Sequence, residues 1–184
     1  EEIVKVMNPL GDPWEVLFVD DGSKDQSLAV IKELAAKDEH VRYISFAANC
    51  GQSAGFAAGF QEARGEWIIT MDADLQNNPV DIPNLLAELA SGVDMVIGWR
   101  ANRQDTKAKK IASKIANRIR NAVSRETVKD TGCSLKVMRT AMARQIPMFT
   151  GMHRFLPTLM KMQGATVAEV KVSHRPRKFG TSKY

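Results

Sequence analysis

Asp72-Ala73-Asp74 sets two carboxylates on one short turn, directly after the largely apolar segment from Glu66 to Met71. A hard divalent cation such as Mg²⁺ takes one or two carboxylates from a protein and completes its shell with phosphate oxygens and water. Three residues make a weak motif by themselves, because acidic turns after strands are common. A second acidic turn, Asp20-Asp21, follows the apolar run from Trp14 to Val19, and this repetition in an equivalent place strengthens the reading. Gln76 stands close enough to Asp74 to touch a substrate held there; it reads equally as a turn residue ahead of Asn77-Asn78-Pro79.

Other chemistries find no support. The chain has neither a GxxxxGK phosphate loop nor a GxGxxG after a strand. It also lacks a His/Cys cluster with zinc spacing and a Gly-x-Ser-x-Gly nucleophile turn. The charge of a bound diphosphate would therefore fall to a metal and to basic side chains, with Arg100, Arg177 and Lys183 as candidates. His153 and His174 each precede an arginine, Arg154 and Arg175, in stretches suited to flank a phosphate; His40 reads as a surface residue. Cys50 and Cys133 are too few for a disulfide framework and read as free thiols in a reducing compartment.

These groups need a scaffold that gathers strand ends. Trp14 to Val19, Val41 to Phe46, Glu66 to Met71 and Asp94 to Trp99 read as strands. Between them, Ser27 to Lys37, Ser53 to Ala63 and Pro79 to Leu89 have helical character, and Glu1 to Met7 reads as the end of a helix. Such alternation predicts an α/β domain with a mostly parallel sheet flanked by helices, which collects ligands at the carboxyl ends of its strands. Both acidic turns fall at such ends. Gly51, Gly55 and Gly59, spaced by four, read as close packing of one helix on the sheet.

Beyond Arg100 the pattern changes. Residues 1–99 carry 17 Asp and Glu against 6 Lys and Arg, whereas residues 100–184 carry 4 against 20. That asymmetry points to a front half that handles a cation and a back half that handles phosphates or an anionic surface, unless it is only drift and solvated faces. Lys107 to Val123 reads as one amphipathic helix with Lys110, Lys114 and Arg118 recurring every fourth residue beside Ile111, Ile115 and Ile119. On pattern alone, packing against a core with a solvated basic back is favoured over lying on an anionic membrane.

With 184 residues, 44% of them apolar, the chain has the size and composition of a single globular domain spanning residues 1–184. No apolar run reaches the roughly 18–20 residues that cross a bilayer.

Seven segments together resemble a known family. VDDGSKD (Val19 to Asp25), NCGQSAGFAAGF (Asn49 to Phe60) and DADLQNNP (Asp72 to Pro79) are similar to motifs of the family 2 glycosyltransferases. GWRANRQD (Gly98 to Asp105), DTGCSLKVMR (Asp130 to Arg139), HRFLP (His153 to Pro157) and RKFGTSKY (Arg177 to Tyr184) narrow the resemblance. They point to the branch that makes polyprenyl-phosphate sugars, the dolichyl-phosphate mannose synthases and their undecaprenyl-phosphate relatives.

The resemblance implies a GT-A type nucleotide-sugar-binding domain and inverting transfer of a sugar from a UDP- or GDP-sugar to a polyprenyl phosphate. It implies that Val19 and Asp21 read the base and ribose, and that Asp72, Ala73 and Asp74 meet the donor with Mg²⁺ or Mn²⁺. The metal would sit on Asp72 and Asp74, with Asp74 preferred as the direct ligand. Gln76 would lie near the donor sugar, Arg100 at the donor and acceptor phosphates, and Arg177 and Lys183 in a loop closing over the donor. Asp130, counted with Arg100 and Gln76 among the catalytic residues, would sit near the acceptor, orienting it or its basic partners, with base catalysis as its second reading. Lys114, Arg118, His153 and Arg154 would join Arg100 around the acceptor phosphate. The expected setting is the cytoplasmic face of a membrane, with the full-length protein membrane-anchored and this fragment soluble.

The family's usual first strand, ending in Pro-x-Tyr-Asn-Glu, and the membrane helices that usually follow Ser-Lys-Tyr are not in this sequence. Two other readings compete. A soluble family 2 transferase acting on a glycan would share the front half. A nucleic-acid-binding module would use the basic half but leave Asp20, Asp21, Asp72 and Asp74 without a role, and aromatic residues are not interleaved through the basic stretch.

Overall fold

A computed structural model describes residues 1–101 and 128–176. The first half follows the alternation in the sequence. Helix α1 (Glu2–Met7) leads into strand β1 (Val16–Asp20), α2 (Ser27–Lys37), β2 (Val41–Ser45), α3 (Gln52–Glu62) and β3 (Trp67–Thr70). Then come α4 (Ile82–Glu88), β4 (Met95–Trp99), β5 (Lys136–Arg139), α5 (Thr140–Ala143), α6 (Leu156–Met162) and β6 (Val167–Lys171).

The helix expected over Pro79 to Leu89 is shorter than its sequence pattern. Pro79–Asp81 forms a 3₁₀ turn in which Ile82 N–H donates back to the Pro79 carbonyl. Pro83 has no N–H to extend an α-helical ladder back through that turn, so the α-helix proper starts at Ile82. A second 3₁₀ turn, Leu89–Ser91, closes it at Gly92, whose φ of 84° is left-handed.

The strands form two sheets. β1 and β2 pair in parallel, with Val16 opposite Val41 and Asp20 opposite Ser45. The other sheet has the order β3-β5-β4-β6. β3, β4 and β6 run one way, and β5 is inserted antiparallel to both of its neighbours. The sheet is therefore mixed, with a same-direction majority.

Side chains alternate across a strand, so the four-stranded sheet buries a separate core on each face. Met95, Ile97 and Met138 face Phe60 of α3 and Leu156 and Met160 of α6. Val96 and Val137 face Ile82 and Leu85 of α4, with Val6 and Met7 of α1 packed at the margin. The result is three layers, helices over sheet over helices. α3 also lies on β1: a Cβ added at Gly55 or Gly59 would meet the Val19 methyls at 3.7 and 3.6 Å, an ordinary contact distance. The spaced glycines thus mark a helix packed on a strand.

Candidate functional site

The turns after β1, β3 and β4 are each fixed by specific bonds. Asp20 is buried, and its carboxylate accepts from Ser23 N–H and from Ser45 Oγ, each at 3.4 Å. It closes the turn that begins at Gly22. That glycine has a φ of 69°, and a Cβ there would lie 2.6 Å from the Ala48 carbonyl carbon, so only glycine lets the two loops touch.

Asp21 faces the other way. Its carboxylate accepts from Cys50 N–H at 2.6 Å, Gly51 N–H at 3.0 Å and Asn49 Nδ2 at 2.8 Å. These donors lead directly into α3, so Asp21 ties the end of β1 to the start of that helix. A cleft of about 570 Å³ opens beside it, lined by Asp20, Gly22, Ser23, Leu28, Phe46 and Asn49. Val19 lies beneath, under Gly55 and Gly59.

After β3, Asp72 and Asp74 are both half-buried and Ala73 is exposed. Asp72 is steadied through its N–H, 3.4 Å from Ser134 Oγ, and its carboxylate accepts from Gln52 Nε2 at 3.4 Å. Asp74 accepts from Gln76 N–H at 3.1 Å, which folds the turn back on itself. Between them Leu75 has a φ of 63°, a left-handed conformation that an L residue rarely adopts. Gln76 reaches the segment after β6: its carbonyl accepts from Arg175 N–H at 2.9 Å, and its Nε2 lies 3.4 Å from His174 Nε2.

Among the described residues no group of three His, Cys, Asp or Glu could enclose a metal. The two carboxylates of this turn nevertheless fit a hard divalent cation that borrows its remaining ligands from phosphate and water. Their oxygen donors suit Mg²⁺ or Mn²⁺ and not a soft metal.

Arg100 follows β4 and pairs with Asp130 in a fork: Nε to Oδ2 at 2.8 Å and Nη2 to Oδ1 at 2.9 Å. The Arg100 N–H also donates to Asp130 Oδ2, at 3.2 Å. Both side chains are nearly buried, 12% and 7% exposed. Asp130 is thereby held as the partner of an arginine, an arrangement suited to orienting a basic group.

Two residues that the sequence reading passed over belong to this region. Lys136 opens β5 fully inside the protein and donates from Nζ to the Cys133 carbonyl. Burial pushes its ammonium below the usual lysine range, while the charges of Asp72 and Asp130 pull the other way. Its only sequence signal is its place between Leu135 and Val137, where alternation turns it to the opposite face of the sheet from them. Ser53, on the first turn of α3, is buried, and its Oγ lies 2.9 Å from His153 Nδ1. In the sequence it resembles any small polar residue near a helix start.

His153 sits on the 3₁₀ turn Met152–Phe155, its ring stacked on Phe56 at 6.2 Å. Burial, Arg154 and Lys136 push its pKa down, and Asp72 opposes them. His153 is thus within electrostatic reach of the Asp72 turn, and Arg154 is its exposed neighbour. Lys114, Arg118, Arg177 and Lys183 lie outside the described residues, as does the amphipathic stretch from Lys107 to Val123.

The family model "Glycosyl transferase family 2" matches residues 2–146. A protein of Pectobacterium carotovorum subsp. carotovorum (strain PC1) named undecaprenyl-phosphate 4-deoxy-4-formamido-L-arabinose transferase is 38% identical over 185 residues, covering 100% of this chain and 57% of its own length. A dodecaprenyl-phosphate galacturonate synthase of Rhizobium johnstonii (strain DSM 114642 / LMG 32736 / 3841) is 36% identical over 189 residues, covering 100% and 56%. The chain thus spans somewhat more than half the length of these relatives. Among solved structures, glucosyl-3-phosphoglycerate synthase from Mycobacterium tuberculosis with phosphoglyceric acid superposes with a TM-score of 0.68 at 17% identity, over 96% of this chain and 67% of that one. The same enzyme with Mn²⁺, UDP-glucose and phosphoglyceric acid gives a TM-score of 0.66 at 16% identity, over 96% and 66%. At those identities the likeness establishes the fold, which is of GT-A type.

Proposed function

The chain belongs to glycosyl transferase family 2, and from that premise we propose that it transfers a sugar from a nucleotide diphosphate sugar to a polyprenyl phosphate, with inversion. The observation that carries the acceptor class is the match of the whole chain, basic half included, to relatives named for polyprenyl-phosphate sugar transfer.

In this reading an oxygen of the acceptor phosphate attacks the anomeric carbon as the bond to the nucleotide diphosphate breaks, and the electron pair leaves with the diphosphate. A phosphate monoester has a second pKa of about 6, so the acceptor is largely ionised at neutral pH and needs no strong base. That agrees with an Asp130 engaged by Arg100. Asp72 and Asp74 would hold Mg²⁺ or Mn²⁺, which when bound supplies positive charge to the leaving diphosphate. Arg100 would orient phosphate oxygens, Gln76 would contact the donor sugar, and Asp21 would organise the nucleoside end beside the cleft. Arg177 and Lys183 would close over the donor, and Lys114, Arg118, His153 and Arg154 would receive the acceptor phosphate. Among the described residues no helix is long and apolar enough to cross a membrane. The proposed place of action is the cytoplasmic membrane face, where the lipid acceptor is presented.

Thermal unfolding with UDP or GDP, each with and without Mn²⁺, tests the donor site. A nucleotide present at about 100 times its Kd adds about 2.7 kcal/mol of apparent stability. For a domain of this size that raises Tm by about 5–11 °C. A metal-dependent shift with one nucleotide is expected and identifies the base; no shift with either refutes the donor site. Incubation with the matching nucleotide sugar and undecaprenyl phosphate should then yield a glycosylated lipid, and transfer to a soluble glycan instead would favour the other acceptor class.

A further inference from the structure

Ser53 and His153 are a hundred residues apart in sequence and meet beside the proposed acceptor site. Ser53 Oγ lies 2.9 Å from His153 Nδ1, and the same oxygen accepts from Gly151 N–H at 3.1 Å. A serine hydroxyl has one proton to give and two lone pairs to fill. Gly151 fills one lone pair. If Nδ1 carried the imidazole proton it would fill the other, and the hydroxyl proton of a serine only 6% exposed would have to find a different acceptor. If Nδ1 is unprotonated, Ser53 donates to it and the bonds among the three groups close.

The second arrangement leaves the proton on Nε2, at the far side of the ring. Phe56 stacks against the ring with an interplanar angle of 19°, which sets the plane of the imidazole, and the Ser53 bond at Nδ1 turns Nε2–H away from Ser53 within that plane. Gln52, the neighbour of Ser53 on α3, donates to Asp72 at 3.4 Å, so the Ser53–His153 pair adjoins the point where α3 meets the acidic turn. An uncharged N–H donor held there suits a phosphate oxygen, which accepts strong hydrogen bonds.

We propose that Ser53 is a positioning residue that holds His153 as its neutral Nε2–H tautomer, so that the imidazole presents a hydrogen-bond donor, and not a base, to an oxygen of the acceptor phosphate. The inference rests on the transfer reaction above for the identity of that phosphate, and on the Ser53, Gly151 and Phe56 contacts for the tautomer.

The tautomer is tested without turnover, by long-range proton–nitrogen NMR on the chain labelled with ¹⁵N-histidine, His153 being assigned by its loss in His153→Gln. At neutral pH the parent should show a pyrrole-type Nε2 and a pyridine-type Nδ1. Ser53→Ala should move the ring towards a tautomer mixture, and Ser53→Thr, which keeps the hydroxyl, should restore the parent pattern. A parent spectrum with protonated Nδ1 overturns the proposal.

Titration with farnesyl phosphate identifies the ligand: the Nε2–H resonance should move in the parent and in Ser53→Thr, and binding should weaken roughly tenfold or more in Ser53→Ala. Titration with the nucleotide diphosphate should leave that resonance in place. If the nucleotide moves it and farnesyl phosphate does not, the assignment to the acceptor is wrong. In transfer assays the acceptor KM should rise in Ser53→Ala with the donor KM unchanged. His153→Gln, which offers an N–H near the position of Nε2, should retain more acceptor affinity than His153→Asn, and the reverse order also overturns the proposal. A parent that binds farnesyl phosphate through Nε2–H yet transfers no sugar would refute the transferase reading alone.

Discussion

Removing Asp130 should unfold the protein more readily than a typical single surface change, because it takes the forked carboxylate from a nearly buried cation. Arg100 and Asp130 share a two-bond fork at 2.8 and 2.9 Å with side chains 12% and 7% exposed. At such burial, deleting one partner costs about 3–5 kcal/mol, because the remaining charge keeps its desolvation penalty and loses the ion pair that offset it. In a domain of this size each kcal/mol lowers Tm by about 2–4 °C, so Asp130→Ala should melt about 6–20 °C below the parent. Replacing both partners, as in Arg100→Met with Asp130→Leu, removes both charges and should recover most of that loss. Differential scanning calorimetry at neutral pH reads both outcomes. Sugar transfer separates structure from function: if Arg100 orients phosphate oxygens, the double variant regains stability and stays inactive. An Asp130→Ala protein that melts within about 2 °C of the parent would refute the energetic reasoning. A double variant with parental turnover would remove Arg100 from the phosphate site.

Asp74→Asn keeps the shape of the turn and removes the charge proposed to hold the metal, so turnover should fall about 10²–10³-fold with little change in Tm. Mn²⁺ titration followed by electron paramagnetic resonance in the presence of nucleotide checks it, and unaltered Mn²⁺ affinity would reject the assignment. Asp94 predicts an acid dependence. Hydrogen bonding from the Thr166 N–H, supported by the Thr166 hydroxyl and Arg139, outweighs a small burial effect and holds its carboxyl below the usual value of 3.8. Its stabilising contribution is complete above the unfolded pKa and disappears as pH falls through the lower folded one. Asp94→Asn should therefore lose most stability at neutral pH and converge on the parent as pH falls through the lowered pKa of the folded state, as urea unfolding across pH would record. A gap that stays constant with pH would contradict it.

Most elements up to β4 were legible because each is a local pattern. Trp14 to Val19 and Asp94 to Trp99 are apolar runs closed by polar turns, and the structure forms β1 and β4 there. β5 was not legible as a strand. It is only four residues long and opens on Lys136, a charge that breaks the apolar run although the side chain is fully buried. Its antiparallel insertion between β3 and β4 is a long-range pairing that no local rhythm records. β6, Val-Ala-Glu-Val-Lys, carries two charged residues in five and reads as surface until Met95 and Val96 are found paired with it. The acidic turns were legible through their residue types. Ser53 was not, because its role depends on a histidine a hundred residues away. What Asp20 does was also hidden, since its neighbour Asp21 has the same chemistry and only the fold shows one carboxylate turned inward to Ser23 and Ser45.

The opposed charges of the two halves now divide into parts with different weight. Several front-half acids are met by back-half bases: Glu66 and Asp94 by Arg139, and Glu2 by Arg175. These pairs are partly exposed, so each contributes at most about 1 kcal/mol, and they account for asymmetry without explaining a site. Lys136 is different. It is enclosed, and its charge acts on Asp72 of the proposed metal turn and on Asp130 of the arginine fork. Burial disfavours its charged form and the two carboxylates favour it, and an enclosed lysine feels such neighbours more than a surface lysine screened by solvent. The back half therefore does more than supply groups for phosphate: one buried residue on an inserted strand couples it electrostatically to the acidic turn of the front half.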